Sequence, residues 1–514
     1  MEAPLTRSLA FAGFMGAGKS TLAREAARLL GAPLRDTDAL VEASLGEPIA
    51  AFWQREGEGA FREREEQVVL EALGDVPGVV ALGGGALGSA RVREALGAHV
   101  VVLVEVDVDI AWSRSSGGSR PLTANRARFH ELFAERVPTY RAAAAAFLPS
   151  SDLSALRRAL PNLRAMASGE SGALRMLWAA SASGSYPVWV GTDAITQAPW
   201  PLAEGSRRLG VSDGNVADLY AGTVPGLAGL IEIPAGEEHK TLATAERVWR
   251  ALVAQQATRA DHLVAVGGGV VGDLTGFCAA TFQRGIPVVQ IPTTLVAQVD
   301  SAYGGKTGVD LPEAKNYVGA YHQPAAVIVD PATLATLPAA EFAAGYAEVV
   351  KTALIAGGPL WETVGRAASV DEGVILECAR TKLGVVAADE RDGGRRQVLN
   401  LGHTVGHAIE TVTGYSRLRH GEAVGLGLLA ALRLSGADEL RAQVRELLAD
   451  AGLPVVIDGI DIDDVLAATH LDKKRVGAEV PFVLCEAPGQ VRHGVAVDAA
   501  AVRAAVSELA GTCA

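Results

Sequence analysis

The feature that most constrains the fold of this chain is a glycine-rich loop near its start. Residues 13–20 read GFMGAGKS and fit the pattern G-x-x-x-x-G-K-[ST], after an apolar run over residues 9–12 and before a helical pattern over residues 21–30. In a strand–loop–helix context, such glycines let successive backbone N–H groups face an anion at a helix N-terminus. The loop therefore predicts an α/β fold with a nucleoside triphosphate cradle, formed by Gly16, Ala17, Gly18, Lys19, Ser20 and Thr21.

Two acids follow the loop at a spacing that suits phosphoryl transfer. Asp36 and Asp38 come just before a helical pattern over residues 39–43. If they belong to a strand, alternation points both carboxylates the same way, one toward Mg²⁺ and the other toward a hydroxyl nucleophile. A solvated turn with a helix N-cap explains the same residues equally well.

Three further segments of this part of the chain carry candidate site residues. Arg62 and Glu65 share one face of a predicted helix, although a solvated i,i+3 pair is the alternative explanation. The sequence LGGGA follows a short apolar run over residues 79–81. Arg120 follows a Ser/Gly-rich stretch, as it would in a mobile lid over a phosphate site.

Together these motifs resemble the shikimate kinase family, whose fold is nucleoside-monophosphate-kinase-like with a parallel sheet. The match runs from residue 5 to about 150 and covers GFMGAGKS, DTD, FRERE, LGGGA, SRPL and ERVPTY. The resemblance implies ATP-dependent 3-phosphorylation of shikimate, with Mg²⁺ on Ser20 and Asp36. It implies that shikimate is contacted by Asp38, Arg62, Gly84 and Arg136. It also implies catalytic roles for Asp38, Lys19 and Arg120, of which Lys19 and Arg120 contact the nucleotide as well. Arg114 is implied to lie near adenine.

A second glycine-rich turn follows an apolar run much later in the chain. Residues 267–273 read GGGVVGD and satisfy G-x-G-x-x-G. The acid expected about twenty residues on in a standard dinucleotide fold is missing, since residues 290–294 read QIPTT. A pyrophosphate can still lie on the turn, and acids are found instead at Asp213 and Glu237.

Helical periodicity dominates the rest of the chain and places metal-ligating residue types on helices. His403 and His407 form an i,i+4 pair on one helical face, Glu348 lies in another helical pattern, and His420 follows. One carboxylate and two imidazoles suit Zn²⁺ with open positions for substrate. Without a third ligand, core or surface histidines are the simpler explanation of the pair.

These later motifs resemble the 3-dehydroquinate synthase family over about residues 180–510. The match covers GGGVVGDLTGF, IPTTLVAQVDS, GGKTG, GYAEVVK, LNLGHTVGHAIE and HGEAV. The resemblance implies conversion of 3-deoxy-arabino-heptulosonate 7-phosphate to 3-dehydroquinate and phosphate, with bound NAD and Zn²⁺ or Co²⁺. It also implies an α/β NAD-binding domain, a mostly helical metal-binding domain and a homodimer formed through this part of the chain.

The family's pattern carries over to individual residues of this sequence. The implied metal ligands are Glu348, His403 and His420. The implied NAD contacts are Asp213, Glu237, Lys240, Gly269, Val270, Val271, Gly272, Asp273, Thr293 and Thr294, with Lys306 and Lys315 between cofactor and substrate. The implied substrate contacts are Arg284, Asp300, Asn316, Lys351, Lys382, Arg396, Asn400 and one of Lys473 or Lys474. Catalytic roles are implied for Lys306, Lys351, Arg396, Asn400 and His407.

Length and charge fit a multidomain enzyme of small molecules. The 514 residues predict about three domains, over residues 1–164, 173–330 and 331–514, with a linker at 165–172. The formal net charge of −13 argues against a nucleic-acid partner. No uncharged apolar run is long enough to span a membrane, and four scattered cysteines fit a reducing cytoplasm. Lysine is scarce: arginine supplies most of the basic residues.

Two other interpretations keep the same folds. The second half could be a different sugar-phosphate cyclase or a metal-dependent alcohol dehydrogenase, and the first a non-catalytic module. Lys382, Arg396 and Asn400 favour a carboxylate-bearing substrate, because a neutral polyol would leave those charges unpaired. The complete phosphate loop, with its acids, argues against a non-catalytic module.

Overall fold

The structure, a computed structural model, describes residues 4–74, 76–115, 125–150, 152–202, 205–366, 368–469 and 480–510. The chain divides into two compact units. The first runs to Ala180 and includes Ser185–Trp189 and Gln197–Pro201; the second takes in Ser181–Gly184, Val190–Thr196 and the residues from Leu202 on. None of the described helices is both long enough and apolar enough to cross a bilayer.

The first unit is built on a mainly parallel sheet with the phosphate loop at its centre, and its last two strands, joined by only two residues, form an antiparallel hairpin. Its strand order is β2-β3-β1-β4-β5-β6-β7, and the order reverses at β1, where crevices for ligands form beyond the carboxyl ends of the strands. Its strands are β1 Leu9–Ala12, β2 Leu34–Asp36, β3 Val79–Ala81, β4 Val100–Glu105, β5 Ala146–Pro149, β6 Arg175–Ser181 and β7 Gly184–Val190. Its helices are α1 Lys19–Leu30, α2 Thr37–Leu45, α3 Ile49–Ala72, α4 Ala90–Leu96, α5 Val108–Ser115, α6 Arg126–Ala143 and α7 Leu153–Ser168.

The second unit begins with five parallel strands, in the order β14-β11-β10-β8-β9, and continues as helices. Its strands are β8 Arg208–Asp213, β9 Leu227–Ile233, β10 His262–Gly267, β11 Val288–Pro292, β12 Lys306–Leu311, β13 Ala314–Tyr321, β14 Ala326–Val329, β15 Phe482–Ala487 and β16 Gln490–Val495. Its first four helices are α8 Ala194–Gln197, α9 Ala217–Tyr220, α10 Leu242–Ala254 and α11 Gly269–Thr281. The later ones are α12 Ala339–Ala356, α13 Gly358–Val364, α14 Glu372–Ala388, α15 His403–Val412, α16 His420–Leu434, α17 Asp438–Asp450, α18 Ile462–Thr469 and α19 Ala499–Ser507. Two antiparallel hairpins, β12–β13 and β15–β16, stand outside the parallel sheet.

The predicted α/β class, with parallel strands in both units and a mostly helical last part, is confirmed. Two local expectations differ from the structure. Residues 165–168, expected in a linker, form the last turn of α7, and Ala165, Met166 and Ala167 are buried. Asp38 does not extend a strand: β2 ends at Asp36 and α2 begins at Thr37, because Asp36 takes the extended conformation of a helix N-cap.

A buried histidine at the start of β10 makes the stability of the second unit depend on pH. His262 is fully buried, with Nδ1 2.7 Å from the hydroxyl of Ser206, and burial lowers its pKa from 6.5 to about 4. Between these pH values the unfolded chain binds a proton that the folded chain does not, so stability falls as the pH drops through that window.

We expect the melting temperature of His262→Gln to fall less than that of the wild type between about pH 7 and about pH 5. Differential scanning calorimetry measures this, with the exposed His493→Gln as the matched control. If the melting temperatures of His262→Gln and wild type depended on pH in the same way, His262 would not be the source of the pH dependence.

Candidate active sites

The phosphate loop joins β1 to α1 in a conformation that requires glycine. Gly16 and Gly18 have φ values of 77° and 91°, in the left-handed region. A Cβ at Gly16 would lie 2.6 Å from the carbonyl oxygen of Ala111, so this position also has no room for a side chain. Lys19 Nζ donates to the carbonyl of Phe14 at 3.1 Å, which holds the ammonium over the loop. The loop presents backbone N–H groups and one cation to an anion, as its sequence predicts.

Strand register brings the two predicted acids to this loop. Ala81 lies opposite both Asp36 and Phe11, so the carboxyl ends of β2, β3 and β1 meet at one edge of the sheet. Gly83 follows β3 there, and a Cβ on it would lie 2.7 Å from Asp38 Oδ1. Asp38 therefore reaches the crevice from the first turn of α2 rather than from a strand.

An arginine and a buried acid form the wall of the cleft beside that crevice. Arg62 on α3 pairs with Glu65 at 2.6 Å, and Glu65 is only 4% exposed, which rules out a solvated surface pair. Burial raises the pKa of Glu65 despite Arg62. A Cβ at Gly85 would lie 1.9 Å from Arg62 Nη1, so the guanidinium passes directly over this glycine.

The opposite wall comes from α6. Arg136 donates to the carbonyl of Gly84 at 3.0 Å, and the hydroxyl of Tyr140 donates to the same oxygen at 2.5 Å. Burial raises the pKa of Tyr140 to about 12, so the hydroxyl stays protonated and can keep donating. Arg62 and Arg136 face a cleft of about 880 Å³, large enough for a small anionic acceptor.

Arg114 lies beside the loop, where it donates to the carbonyl of Gly16 at 3.3 Å and to the hydroxyl of Ser150 at 2.6 Å. That position agrees with a place at the nucleotide end of the crevice. The lid residue Arg120 lies outside the described residues, as do Lys473 and Lys474.

In the second unit, parallel register again aligns predicted residues along one sheet edge. Ser212 lies opposite Val266, and Gly267 lies opposite Pro292, so Asp213, the glycine turn and Thr293 follow adjacent strands. The glycine turn caps α11, whose first backbone N–H groups face outward from this edge. The hydroxyl of Thr293 is one of several buried hydroxyl groups for which the described residues provide no hydrogen-bond partner.

A buried lysine organises the next part of this edge. Lys240 is 3% exposed; its Nζ is 2.7 Å from Asp273 Oδ2, 3.6 Å from Glu237 Oε1 and donates to Asn316 Oδ1 at 2.6 Å. Burial alone would lower the pKa of Lys240, but the carboxylates outweigh it and the pKa is raised. The predicted NAD contacts Glu237, Lys240 and Asp273 therefore form one charged cluster next to the glycine turn.

The three predicted metal ligands converge from three helices. Glu348 comes from α12, His403 from the first residue of α15 and His420 from the first residue of α16. Glu348 Oε1 lies 3.7 Å from His403 Nε2 and 3.5 Å from His420 Nε2, and one ligand atom from each lies within 4.8 Å of the others. The carboxylate that the histidine pair lacked in the sequence thus lies beside His403 and His420 in the fold.

Hydrogen bonds orient both histidines toward that point. His403 Nδ1 lies 3.2 Å from the carbonyl of Leu401, so it carries the proton and leaves Nε2 with a lone pair. His420 Nδ1 lies 3.3 Å from Glu410 Oε2, which turns Nε2 of the ring toward Glu348. Burial alone would lower the pKa of His420, but Glu348 and Glu410 raise it to about 10. Two carboxylates thus make this pocket attract a cation.

Two buried lysines adjoin the metal ligands. Lys351, one helical turn after Glu348, pairs with it and with Asp300 Oδ2 at 3.3 Å. Lys382 pairs with the same Asp300, which lies in a short π-helical turn, Ala297–Ser301. Burial lowers the pKa of Lys382, which makes its proton more easily lost than that of an exposed lysine. This cluster places ammonium groups where a phosphate or carboxylate could bind beside a metal.

Three more of the predicted substrate contacts lie at the start of β12 and in a short 3-10 helix, Arg395–Asn400. Lys306 pairs with Asp392 at 2.6 Å, and Arg396 is buried, with hydrogen bonds to the carbonyls of Glu390 and Gly304. The amide nitrogen of Asn400 is buried and, within the described chain, has no hydrogen-bond partner. Arg396 thus connects the turn before β12 to the segment that carries Glu390.

One predicted contact is not brought to this site. Arg284 is exposed and lies just beyond the carboxyl end of α11, while the glycine turn caps the amino end of the same helix. Thirteen residues at about 1.5 Å each separate the two ends by about 20 Å. Within one chain, Arg284 is therefore at the opposite edge of the sheet from the cofactor residues.

The sequence interpretation missed several residues of both sites. Tyr140 and Asp392 were given no role, and a solvated surface pair was left open for Glu65. The available signal for Glu65 was its position three residues after Arg62, on the face that also carries the buried Val68 and Val69. Asp392 had no local signal, because it reaches Lys306 only through the fold.

Comparison with known families matches both units. The model of the shikimate kinase family matches residues 15–165. Those of the 3-dehydroquinate synthase N-terminal and C-terminal regions match residues 230–344 and 345–475.

Curated relatives of the second unit are 3-dehydroquinate synthases. That of Halorhodospira halophila is 42% identical over 341 residues, which are 62% of this chain and 94% of the relative. That of Symbiobacterium thermophilum is 43% identical over 332 residues, 60% of this chain and 92% of the relative.

Solved structures of other sugar-phosphate cyclases share the fold at lower identity. A 2-deoxy-scyllo-inosose synthase, complexed with carbaglucose-6-phosphate, NAD⁺ and Co²⁺, is 25% identical, with a TM-score of 0.58 over 65% of this chain and 99% of its own. The 2-epi-5-epi-valiolone synthase of Streptomyces hygroscopicus, with NAD⁺ and Zn²⁺ bound, is 27% identical, with a TM-score of 0.58. The match covers 64% of this chain and 98% of that synthase. The higher identity to the dehydroquinate synthases decides between these activities. The chain belongs to the 3-dehydroquinate synthase family and is a fusion of a shikimate kinase with a 3-dehydroquinate synthase.

Proposed function

We propose that each unit works through the residues gathered at its own sheet edge. In the first unit, the phosphate loop and Lys19 hold the phosphates of ATP, while Ser20 and Asp36 hold Mg²⁺. Arg62 and Arg136 bind the carboxylate of shikimate across the cleft, since a planar guanidinium matches two carboxylate oxygens. Asp38 then lies where it can accept the proton of the attacking 3-hydroxyl.

In the second unit, Glu348, His403 and His420 would hold a divalent metal, Zn²⁺ or Co²⁺. The glycine turn, Thr293 and the Lys240 cluster of the other domain would hold NAD. The residues fit both groups: the two imidazole Nε2 atoms and the carboxylate face one point, and the buried Thr293 hydroxyl lacks a partner among the described residues.

When bound, NAD⁺ accepts and returns a hydride, and the metal polarises the oxygen on the carbon that is oxidised. The chain's own residues do the rest of the work. Lys351 and Lys382 supply positive charge beside the metal ligands for the anionic groups of the heptulosonate phosphate. Asp300 holds both lysines in place. His407 can carry a proton at this site, since its ring centre lies 5.2 Å from that of His403 and 5.9 Å from that of His420.

The observation that carries this proposal is the convergence of Glu348, His403 and His420 beside the Lys351–Asp300–Lys382 cluster. Coupled assays of the full chain test it. Dialysis against a strong chelator should abolish dehydroquinate formation, and Zn²⁺ or Co²⁺ should restore it, while shikimate phosphorylation should require Mg²⁺ alone. Dehydroquinate formation that survives complete metal removal would refute the assignment.

The approach of Arg62 to Gly85 gives a test of the acceptor site. In Gly85→Ala, the new methyl would occupy the space of Arg62 Nη1 and push the guanidinium aside. A charge-assisted hydrogen bond contributes about 1.5–3 kcal/mol, so the KM for shikimate should rise roughly 10- to 100-fold.

Steady-state kinetics with each substrate varied measures this effect. The KM for ATP should change little, and thermal stability should be nearly unchanged, because the displaced atoms are the end of a flexible side chain. Gly88→Ala, where a Cβ meets nothing within 4 Å, is the matched control. A normal KM for shikimate in Gly85→Ala would refute the role given to Arg62.

A further inference from the structure

Glu410 is a buried carboxylate at the metal site to which no role has yet been given. It lies on α15, two helical turns after His403, and is 2% exposed. Its Oε2 accepts a hydrogen bond from His420 Nδ1 at 3.3 Å, and its Oε1 lies 3.3 Å from Lys315 Nζ. The same carboxylate therefore touches a metal-site histidine on one side and the β12–β13 hairpin on the other.

The contact with His420 is the kind that orients a metal ligand. An imidazole that donates its Nδ1–H to a carboxylate keeps Nε2 unprotonated and directed at the metal. His420 Nε2 points toward Glu348 Oε1, 3.5 Å away. His403 obtains the same orientation from the carbonyl of Leu401, which no substitution can remove. Glu410 is thus the side chain through which ligand orientation can be tested.

The contact with Lys315 connects this carboxylate to the cofactor side. Lys315 lies near the start of β13, with Nζ 4.5 Å from the centre of the Tyr415 ring. The next residue, Asn316, accepts a hydrogen bond from Lys240, which is paired with Asp273 at the glycine turn. Neighbouring residues of one hairpin therefore hold the metal-side Glu410 and the cofactor-side Lys240.

We propose that Glu410 is a positioning residue for the divalent metal, and that Lys315 acts on the metal only by holding Glu410. The inference rests on the proposed metal site. Outer partners of a metal ligand contribute roughly 10- to 100-fold in affinity. Glu410→Ala should therefore raise the dissociation constant for Zn²⁺ or Co²⁺ by that factor, and Lys315→Met should raise it less.

Chelator competition with the full chain measures the dissociation constant directly, and the visible spectrum of bound Co²⁺ reports the ligand geometry. Lys315→Met should have no further effect in the Glu410→Ala background, because two residues that act through one contact are not additive. Glu410→Gln keeps the shape and loses the charge, so its affinity should fall between those of wild type and Glu410→Ala. The exposed Glu446→Gln is the matched control and should bind metal as the wild type does.

The possible results separate this inference from the proposed function. If His403→Ala loses the metal while both Glu410 variants bind it as tightly as wild type, the positioning role is wrong and the metal site stands. If Glu410→Ala binds as weakly as His403→Ala, Glu410 is itself a ligand and the positioning role is again wrong. If His403→Ala keeps wild-type affinity, the metal site itself is wrong. An additive effect of Lys315→Met would refute its action through Glu410. If Glu410→Ala also fails to bind NAD, its fold is damaged and its metal affinity says nothing about positioning. The metal affinity of Glu410→Gln then tests the positioning role.

Discussion

His403→Ala is expected to reduce dehydroquinate formation at least roughly 1,000-fold, while shikimate phosphorylation by the same polypeptide continues at the wild-type rate. The variant loses one of three side chains that face the proposed metal position, and Glu348 and His420 alone make a two-ligand site. A catalytic metal contributes several kcal/mol to the transition state, and each 1.4 kcal/mol is about tenfold in rate.

Metal analysis of the purified variant separates loss of the ion from loss of the fold. His403→Ala should contain little Zn²⁺ after dialysis, whereas His407→Ala, changed on the same helix, should retain it. The kinase activity serves as an internal measure of the amount of intact chain, because the kinase residues lie in the other compact unit and are unchanged. Wild-type metal content in His403→Ala, or normal dehydroquinate formation, would show that the assignment is wrong.

The elements of the fold followed from local patterns. The helix over His403–Val412 and the strands around both glycine turns were predictable because apolar periodicity and glycine position act over a few residues. The last turn of α7 could not be predicted in this way. Residues 165–168 form a short segment rich in Ser and Ala, and the burial of Ala165, Met166 and Ala167 stabilises it as a helix. Tertiary packing decided that boundary.

The site residues likewise divide into those that local sequence patterns predict and those that only the tertiary fold specifies. The proposed ligand set, Glu348, His403 and His420, could be anticipated from its residue types and the family's motif. The partners that orient these groups could not, because the pairs of Lys306 with Asp392 and of Lys315 with Glu410 join segments 86 and 95 residues apart. Such pairs are specified by the fold alone.

The scarcity of lysine acquires a physical meaning in the structure. Lys240, Lys351 and Lys382 are 3%, 1% and 8% exposed, and each is paired with one or two carboxylates. A buried charge without such a partner costs several kcal/mol, so the fold keeps a lysine at each of these positions only together with its carboxylates. In a chain that otherwise uses arginine, the compact ammonium is retained where a cation must fit among several acids.

Lys19→Met is expected to lower the rate of shikimate phosphorylation roughly 100- to 1,000-fold, the usual cost of removing one group that stabilises developing charge. Lys19 Nζ donates to the carbonyl of Phe14 at 3.1 Å, which holds the ammonium over the phosphate loop, and methionine has no charge to place there. Lys19→Arg should recover little activity, because a planar guanidinium differs in shape from a compact ammonium. Rapid-quench and steady-state assays with ATP measure both variants, and dehydroquinate formation, which uses the other unit, should be unaffected. Full kinase activity in Lys19→Arg would mean that the loop needs only positive charge and not the compact ammonium.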